Sequence, residues 1–111
     1  MTTTFVLSHD SKIFELFAER VSVTEELETW RVCNRGDTNR FITLSNNRPY
    51  LHSRHQYKAF YKWTVIEGDH SYRRIRDLIT NKIEYHIKGL WKPPTKAETT
   101  KNAPVKQSKL F

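Results

Sequence analysis

The chain has 111 residues, a single cysteine, Cys33, and a formal net charge of +7. That length fits one domain, and a lone cysteine excludes an intramolecular disulfide. No apolar run approaches the roughly 20 residues that cross a bilayer, which excludes a transmembrane helix.

Only 37% of residues are apolar while 13% are aromatic, so the core is expected to be small and filled by large rings such as Trp30, Trp63, Phe14 and Phe17. The opening Met1-Thr2-Thr3-Thr4-Phe5 lacks the charged and apolar regions of a secretory signal, so a cytoplasmic location is expected. Charge is unevenly spread. Residues 1–29 carry two basic and six acidic side chains, residues 30–91 twelve and five, and residues 92–111 five and one. A basic middle and tail attract polyanions, nucleic acid foremost, and the acidic start does not.

In chain order, Thr4 to Ser8 is a β-prone run ended by His9-Asp10-Ser11, which has helix N-cap chemistry. Ile13, Phe14, Leu16, Phe17 and Val21 then recur at helical spacing and predict an N-terminal helix. Ser22 and Glu25 have capping-box spacing, predicting at most one helical turn before an alternating strand, Leu27 to Asn34. Arg35-Gly36-Asp37-Thr38 is read as a hairpin turn with Gly36 at positive φ, and Arg40 to Ser45 as the returning strand. Asn46-Asn47-Arg48-Pro49 opens a loop that runs through His55.

From Lys58 to Ile66, Ala59, Tyr61, Trp63 and Val65 alternate with Phe60, Lys62 and Thr64, predicting a long third strand. Gly68-Asp69-His70-Ser71 ends it and caps a helix with an Ile75, Leu78, Ile79, Ile83, Ile87 stripe, closed by Gly89 as a C′ glycine. Pro93-Pro94 stops the helix, and the Lys-, Thr- and Pro-rich run to Lys106 lacks the apolar content to offset its ordering entropy. The fold class expected is therefore α+β: a body, 1–91, of about three or four antiparallel strands with an N-terminal helix and one long C-terminal helix, followed by a disordered tail, 92–111.

Candidate nucleic-acid contacts combine cations for phosphates with rings for unpaired bases. Arg48, Tyr50, Arg54, Tyr57 and Lys58 qualify on the presumed loop, and Arg73, Arg74 and Arg76 on the basic side of the helix. Tyr61 and Trp63 share a face with Ala59 and Val65 and are assigned to the core. No helix-turn-helix, zinc-finger or RNA-recognition motif is present, so base-sequence readout is unsupported. His52 and His55 form a His-x-x-His pair that His70 could approach, but one cysteine and no clustered carboxylates leave a tetrahedral zinc site short of ligands, so neither metal nor cofactor is expected. No phosphate-cradling glycine loop, nucleophile elbow or carboxylate pair occurs, and no catalytic residue is assigned.

The last five residues, Gln107-Ser108-Lys109-Leu110-Phe111, resemble the peptide by which bacterial polymerases and repair proteins dock on the β sliding clamp: Gln, two variable positions, Leu, Phe. Ser108 stands where Leu is more usual, and Lys109 where a small or acidic residue is. The resemblance implies that Gln107 hydrogen-bonds at the rim of the clamp pocket while Leu110 and Phe111 fill its floor. Those two side chains would contribute about 3 to 6 kcal/mol before ordering costs. The expected function is a replication or repair accessory protein that binds DNA or RNA, tethered to a clamp and of phage or plasmid type. A metal-independent endoribonuclease is the alternative, with His52, His55, Arg54 and Lys58 as its polar groups; it resembles RelE-type toxins in size and charge. A third expectation is an inhibitor that binds a host protein through its acidic N-terminal face.

Overall fold

A computed structural model describes residues 1–90. Five strands, β1 (Thr2–His9), β2 (Lys12–Val23), β3 (Glu28–Asn34), β4 (Asp37–Asn46) and β5 (Thr64–Gly68), pair antiparallel in the order of the sequence. Two 3₁₀ turns, Pro49–Leu51 and Gln56–Lys58, lie between β4 and β5. The helices α1 (His70–Arg74) and α2 (Arg76–Leu90) follow β5.

The alternation of burial shows why these segments are strands. Leu7, Phe14, Leu16, Ala18, Trp30, Val32, Ile42 and Leu44 fill one sheet face and meet Tyr72, Ile75, Ile79, Ile83 and Ile87 from the helices. Cross-strand neighbours on that face, Leu7↔Phe14, Ala18↔Val32 and Trp30↔Leu44, bring the apolar groups into register. Four isoleucines of the helical stripe, at intervals of four, are almost fully buried, and each contributes about 2 kcal/mol of burial. The opposite sheet face carries Val6, Ile13 and Val21 exposed, with Phe17, Cys33 and Phe41 half-buried.

This architecture corrects the α+β expectation in three places. Residues predicted as an N-terminal helix form β2, the centre of a hairpin. Ile13 to Val21 satisfies the helical period, but Phe14, Leu16 and Ala18 also satisfy the period of two, and it is they that are buried. The decision falls to Asp10 and Ser11, which adopt φ of 50° and 63°. A two-residue turn with both positions left-handed matches the strand twist and folds β2 straight back on β1. Neither residue caps a helix.

The second correction is the sheet itself, which has five strands in place of three or four. The predicted third strand from Lys58 forms ladder pairs only from Thr64, the start of β5; residues 59–63 keep the alternating burial without a strand partner. The third is the helix. In place of one long C-terminal helix, a five-residue α1 ends at Ile75, whose φ of −110° and ψ of 21° break the helix before the fifteen-residue α2. Ile75 nonetheless stays buried in the core, in line with Ile79, Ile83 and Ile87. Gly89 lies inside α2, not beyond its end.

Two turns also differ. No helical turn follows Ser22; the Thr24 hydroxyl instead accepts the amides of Glu26 and Leu27, at 3.3 and 3.0 Å. The β3–β4 hairpin is present, but Gly36 has no positive φ, and its amide donates to Asn34 Oδ1 at 2.8 Å. The glycine that needs its freedom is Gly68, at φ 154°, where a Cβ would lie 2.6 Å from Ile42 Cγ1 and 2.7 Å from Ile42 Cα.

Gly68→Ala is expected to lower unfolding free energy by on the order of 1–3 kcal/mol through strain and overpacking. Ile83→Ala is expected to cost about 2–5 kcal/mol, and Leu78→Ala, on the exposed side of the same helix, under about 1 kcal/mol. Urea unfolding of the three variants measures the order.

Candidate nucleic-acid interface

The long connection between β4 and β5 is held from below by a buried carboxylate. Glu28 lies at the start of β3 on the core face with Trp30 and Val32, and is completely buried. Its Oε1 accepts the Trp30 indole N–H and the Asn46 amide, both at 2.8 Å. Its Oε2 accepts Arg20 Nη1 at 3.1 Å and the Tyr50 hydroxyl. Burial pushes the Glu28 pKa up, but the hydrogen bonds from Trp30, Tyr50, Asn46 and Arg20 outweigh that effect and hold it below its ordinary value of 4.5. Burial, then the neighbouring Glu28, raises the Tyr50 pKa, so its phenol stays a donor.

Each partner of Glu28 places part of the loop. Asn46 Oδ1 accepts the Arg48 amide at 2.8 Å, turning the chain as β4 ends, and Arg48 adopts a left-handed φ of 47°. The Arg48 guanidinium donates through Nη1 to the Thr24 carbonyl. Tyr50 brings the first 3₁₀ turn down onto the carboxylate. On the returning limb, Lys62 N donates to Asn47 Oδ1 at 2.9 Å, which closes the loop at its base.

Rings complete the support. Tyr61 lies 6.1 Å from Tyr50 and stacks on Trp63 at 6.0 Å with 15° between planes. The Trp63 indole donates to Glu84 Oε2 on α2 at 2.7 Å, and Lys88 Nζ sits 5.6 Å over the Tyr61 ring. A column of three rings thus runs from the carboxylate of Glu28 to that of Glu84. Burial, followed by the charges of Glu28, Tyr50 and Glu84, raises the Tyr61 pKa far above its usual value.

What this support presents outward is cationic and aromatic. His52, Arg54, His55, Tyr57, Lys58, Phe60 and Lys62 are exposed, and no acidic residue occurs between Asp37 and Glu67. Phe60 is 88% exposed, although its neighbour Ala59 is buried and pins the backbone. Grooves of about 390 and 480 Å³ flank the ring; both include Lys58, the first with Pro49 and His52, the second with Tyr61 and Lys88. A free ring face between two grooves, beside ammonium groups, can stack on an unpaired base while the cations take phosphates.

Of the residues singled out from sequence, Arg54, Tyr57 and Lys58 come together on this surface. Lys58 Nζ is 5.7 Å from the Tyr57 ring centre, and the His55 ring meets Tyr57 edge-on at 5.8 Å. Arg48 and Tyr50 turn inward as supports. Arg73, Arg74 and Arg76 lie beyond the other end of β5, separated from the loop by roughly 13 Å of strand. There Arg73 Nε donates to the Gly68 carbonyl at 3.2 Å, Arg74 lies 3.7 Å from Asp10 and Arg76 3.3 Å from Asp77. His70 is at that end too, away from His52 and His55, and among the described residues no three His, Cys, Asp or Glu side chains converge on a metal site. Gln107, Leu110 and Phe111 lie outside the described residues.

Sequence reasoning missed two residues. Phe60 was signalled by the alternation itself, since Ala59, Tyr61 and Trp63 inward leave Phe60 outward. Glu28 shares the i, i+2 face of Trp30 and Val32, a charge on an apolar face that calls for partners the sequence does not name.

No family model, curated protein or solved structure matches the chain.

Glu28→Gln, which points an N–H₂ group at donors, is expected to cost about 2–4 kcal/mol. Because the folded-state pKa of Glu28 is depressed, its contribution is full above the ordinary value of 4.5 and is lost as pH falls through the folded-state value. Thermal unfolding between neutral and acid pH should show that loss in the native protein and a flatter acid limb in Glu28→Gln.

Proposed function

We propose that this protein binds nucleic acid having unpaired bases through the β4–β5 loop, as a replication or repair accessory factor without catalytic activity of its own. The observation that carries the reading is the almost fully exposed Phe60 on a rigidly based loop that presents three cations, Arg54, Lys58 and Lys62, and has no acidic residue. Phosphates approach Arg54, Lys58 and Lys62, and a base lies on Phe60, with Tyr57 alongside. Such contacts read backbone charge and base planes, so they favour single strands of DNA or RNA without strong sequence preference.

The C-terminal Gln107-Ser108-Lys109-Leu110-Phe111 supplies the recruitment step in this reading. It resembles a clamp-docking peptide, and 16 residues, 91–106, separate it from the last described residue. A clamp would then hold the loop near its strand at high effective concentration. The free Cys33 fits a reducing compartment such as the cytoplasm. Among the described residues no helix is long and apolar enough to cross a membrane.

Fluorescence anisotropy with a labelled 20-nucleotide oligothymidine tests the interface. Phe60→Ala is expected to weaken binding about 5- to 100-fold with the salt slope unchanged, and Lys58→Ala to lower that slope by about one. Affinity that ignores both salt and Phe60 would sink the interface. Separately, removal of Gln107 to Phe111 should abolish retention on an immobilised bacterial β clamp while leaving oligothymidine binding intact.

A further inference from the structure

The first strand leaves one edge open, and its turn into β2 fixes the phase of its hydrogen bonds. The turn Asp10-Ser11 joins His9 and Lys12, which face each other across it, and Arg20 N donates to Met1 O at 3.0 Å. Both pairs belong to the same alternating set, so Met1, Thr3, Phe5, Leu7 and His9 direct their backbone polar groups at β2. Thr2, Thr4, Val6 and Ser8 consequently direct N–H and C=O groups away from it. Strand β1 is terminal in the sheet order, so that row has no strand partner among the described residues.

Exposed edges normally carry a charge, a proline, a bulge or a short strand to repel added strands. The opposite edge has such protection: β5 is five residues long and contains Glu67 and Gly68. Strand β1 has none of it. Its eight residues carry no Asp, Glu, Lys, Arg or Pro, and its register with β2 runs without a shift.

Beside this edge runs a groove of about 440 Å³, walled by Thr3 and Phe5 on the strand and by Lys82, Tyr85, His86 and Gly89 on α2. Tyr85 is 80% exposed, and a Cβ at Gly89 would meet nothing within 4 Å. Lys82 and His86 supply basic groups, and no carboxylate lines the groove.

We propose that the β1 edge and this groove receive an extended acidic peptide of a partner protein, which adds as a sixth strand. The outward N–H and C=O row hydrogen-bonds the peptide backbone. Alternate side chains enter the groove, where Tyr85 covers an apolar group and Lys82 pairs with a carboxylate. Charge complementarity selects this occupant over a second copy of the chain: Lys82 calls for an acid, and β1, the strand a second copy would add, has none to offer. A polyanionic nucleic acid would use Lys82 but leave the backbone row unmatched.

The probe is a blocked decapeptide, Thr-Val-Thr-Glu-Thr-Val-Thr-Glu-Thr-Val, one face of which carries both Val and Glu, titrated into the full-length chain by calorimetry and by amide NMR, with the same peptide bearing Lys in place of Glu as control. The Glu peptide is expected to bind, to move the amides of Thr2, Thr4, Val6 and Ser8 most, and to exceed the Lys peptide by about tenfold or more. Thr4→Pro removes an outward donor without touching the β1–β2 ladder and should cost at least about tenfold in binding while the fold is kept. Gly89→Phe fills the groove from a helix position with open space and should block the peptide independently, should Thr4→Pro disturb folding. Lys82→Glu should reverse the preference between the two peptides. Equal binding of both peptides, binding that survives Gly89→Phe, or no binding at all would overturn the proposal. So would a concentration-dependent dimer by sedimentation that Thr4→Pro dissolves, which would assign the edge to a second copy.

Discussion

The carboxylate of Glu28 is the constraint on which the upper part of the molecule depends. An ionised group removed from water is tolerated only when its lone pairs are occupied, and four donors from four separate places in the chain occupy these. Arg20 comes from β2, Trp30 from β3, Asn46 from the end of β4 and Tyr50 from the loop. Moving any of them exposes a buried charge to an apolar surrounding, so the network fixes strand register and loop position together. Such a group contributes specificity of arrangement more than net stability, because the same space filled with apolar side chains would also pack.

That fixed base lets a largely irregular connection carry an exposed ring. A phenylalanine on a mobile loop would collapse onto the nearest apolar surface. Phe60 stays out because Ala59 and Tyr61 on either side are drawn in, the one buried in the body and the other stacked on Trp63. Strand β5 meanwhile sets two clusters of cations apart. Those on the β4–β5 loop face no acid in their own segment, whereas Arg74 and Arg76 at the far end have acidic neighbours within 4 Å.

The β4–β5 loop and the β1 edge are different elements and offer different chemistry. The loop offers point cations and a ring face, which suit phosphates and bases. The β1 edge offers a ruled row of donors and acceptors, which suits another backbone. Separate surfaces of this kind allow a small domain to hold a strand and a protein partner without competition, with the C-terminal peptide as a third contact in the clamp-tethered reading.

By itself the sequence determined the buried row Ile75, Ile79, Ile83 and Ile87, though neither the break at Ile75 nor the exposure of Leu78, together with the β3–β4 hairpin and the inward facing of Ala59, Tyr61 and Trp63, because local periodicity and turn chemistry act over a few residues. It also marked the segment around Arg54 and Lys58 as cationic and aromatic. Only tertiary structure decided between helix and strand for Lys12–Val23, where one sequence satisfies both periods and pairing with β1 and β3 selects the second. The same holds for Tyr50, whose inward turn is set by the carboxylate of Glu28 some twenty residues away, and for Arg48, whose guanidinium reaches the Thr24 carbonyl. Likewise, the distance between the loop cations and Arg73 follows from the direction of β5. Patterns of neighbours along a chain record which face is apolar; they do not record which distant group waits on that face, and it is the distant group that settles where a charge or a ring must go.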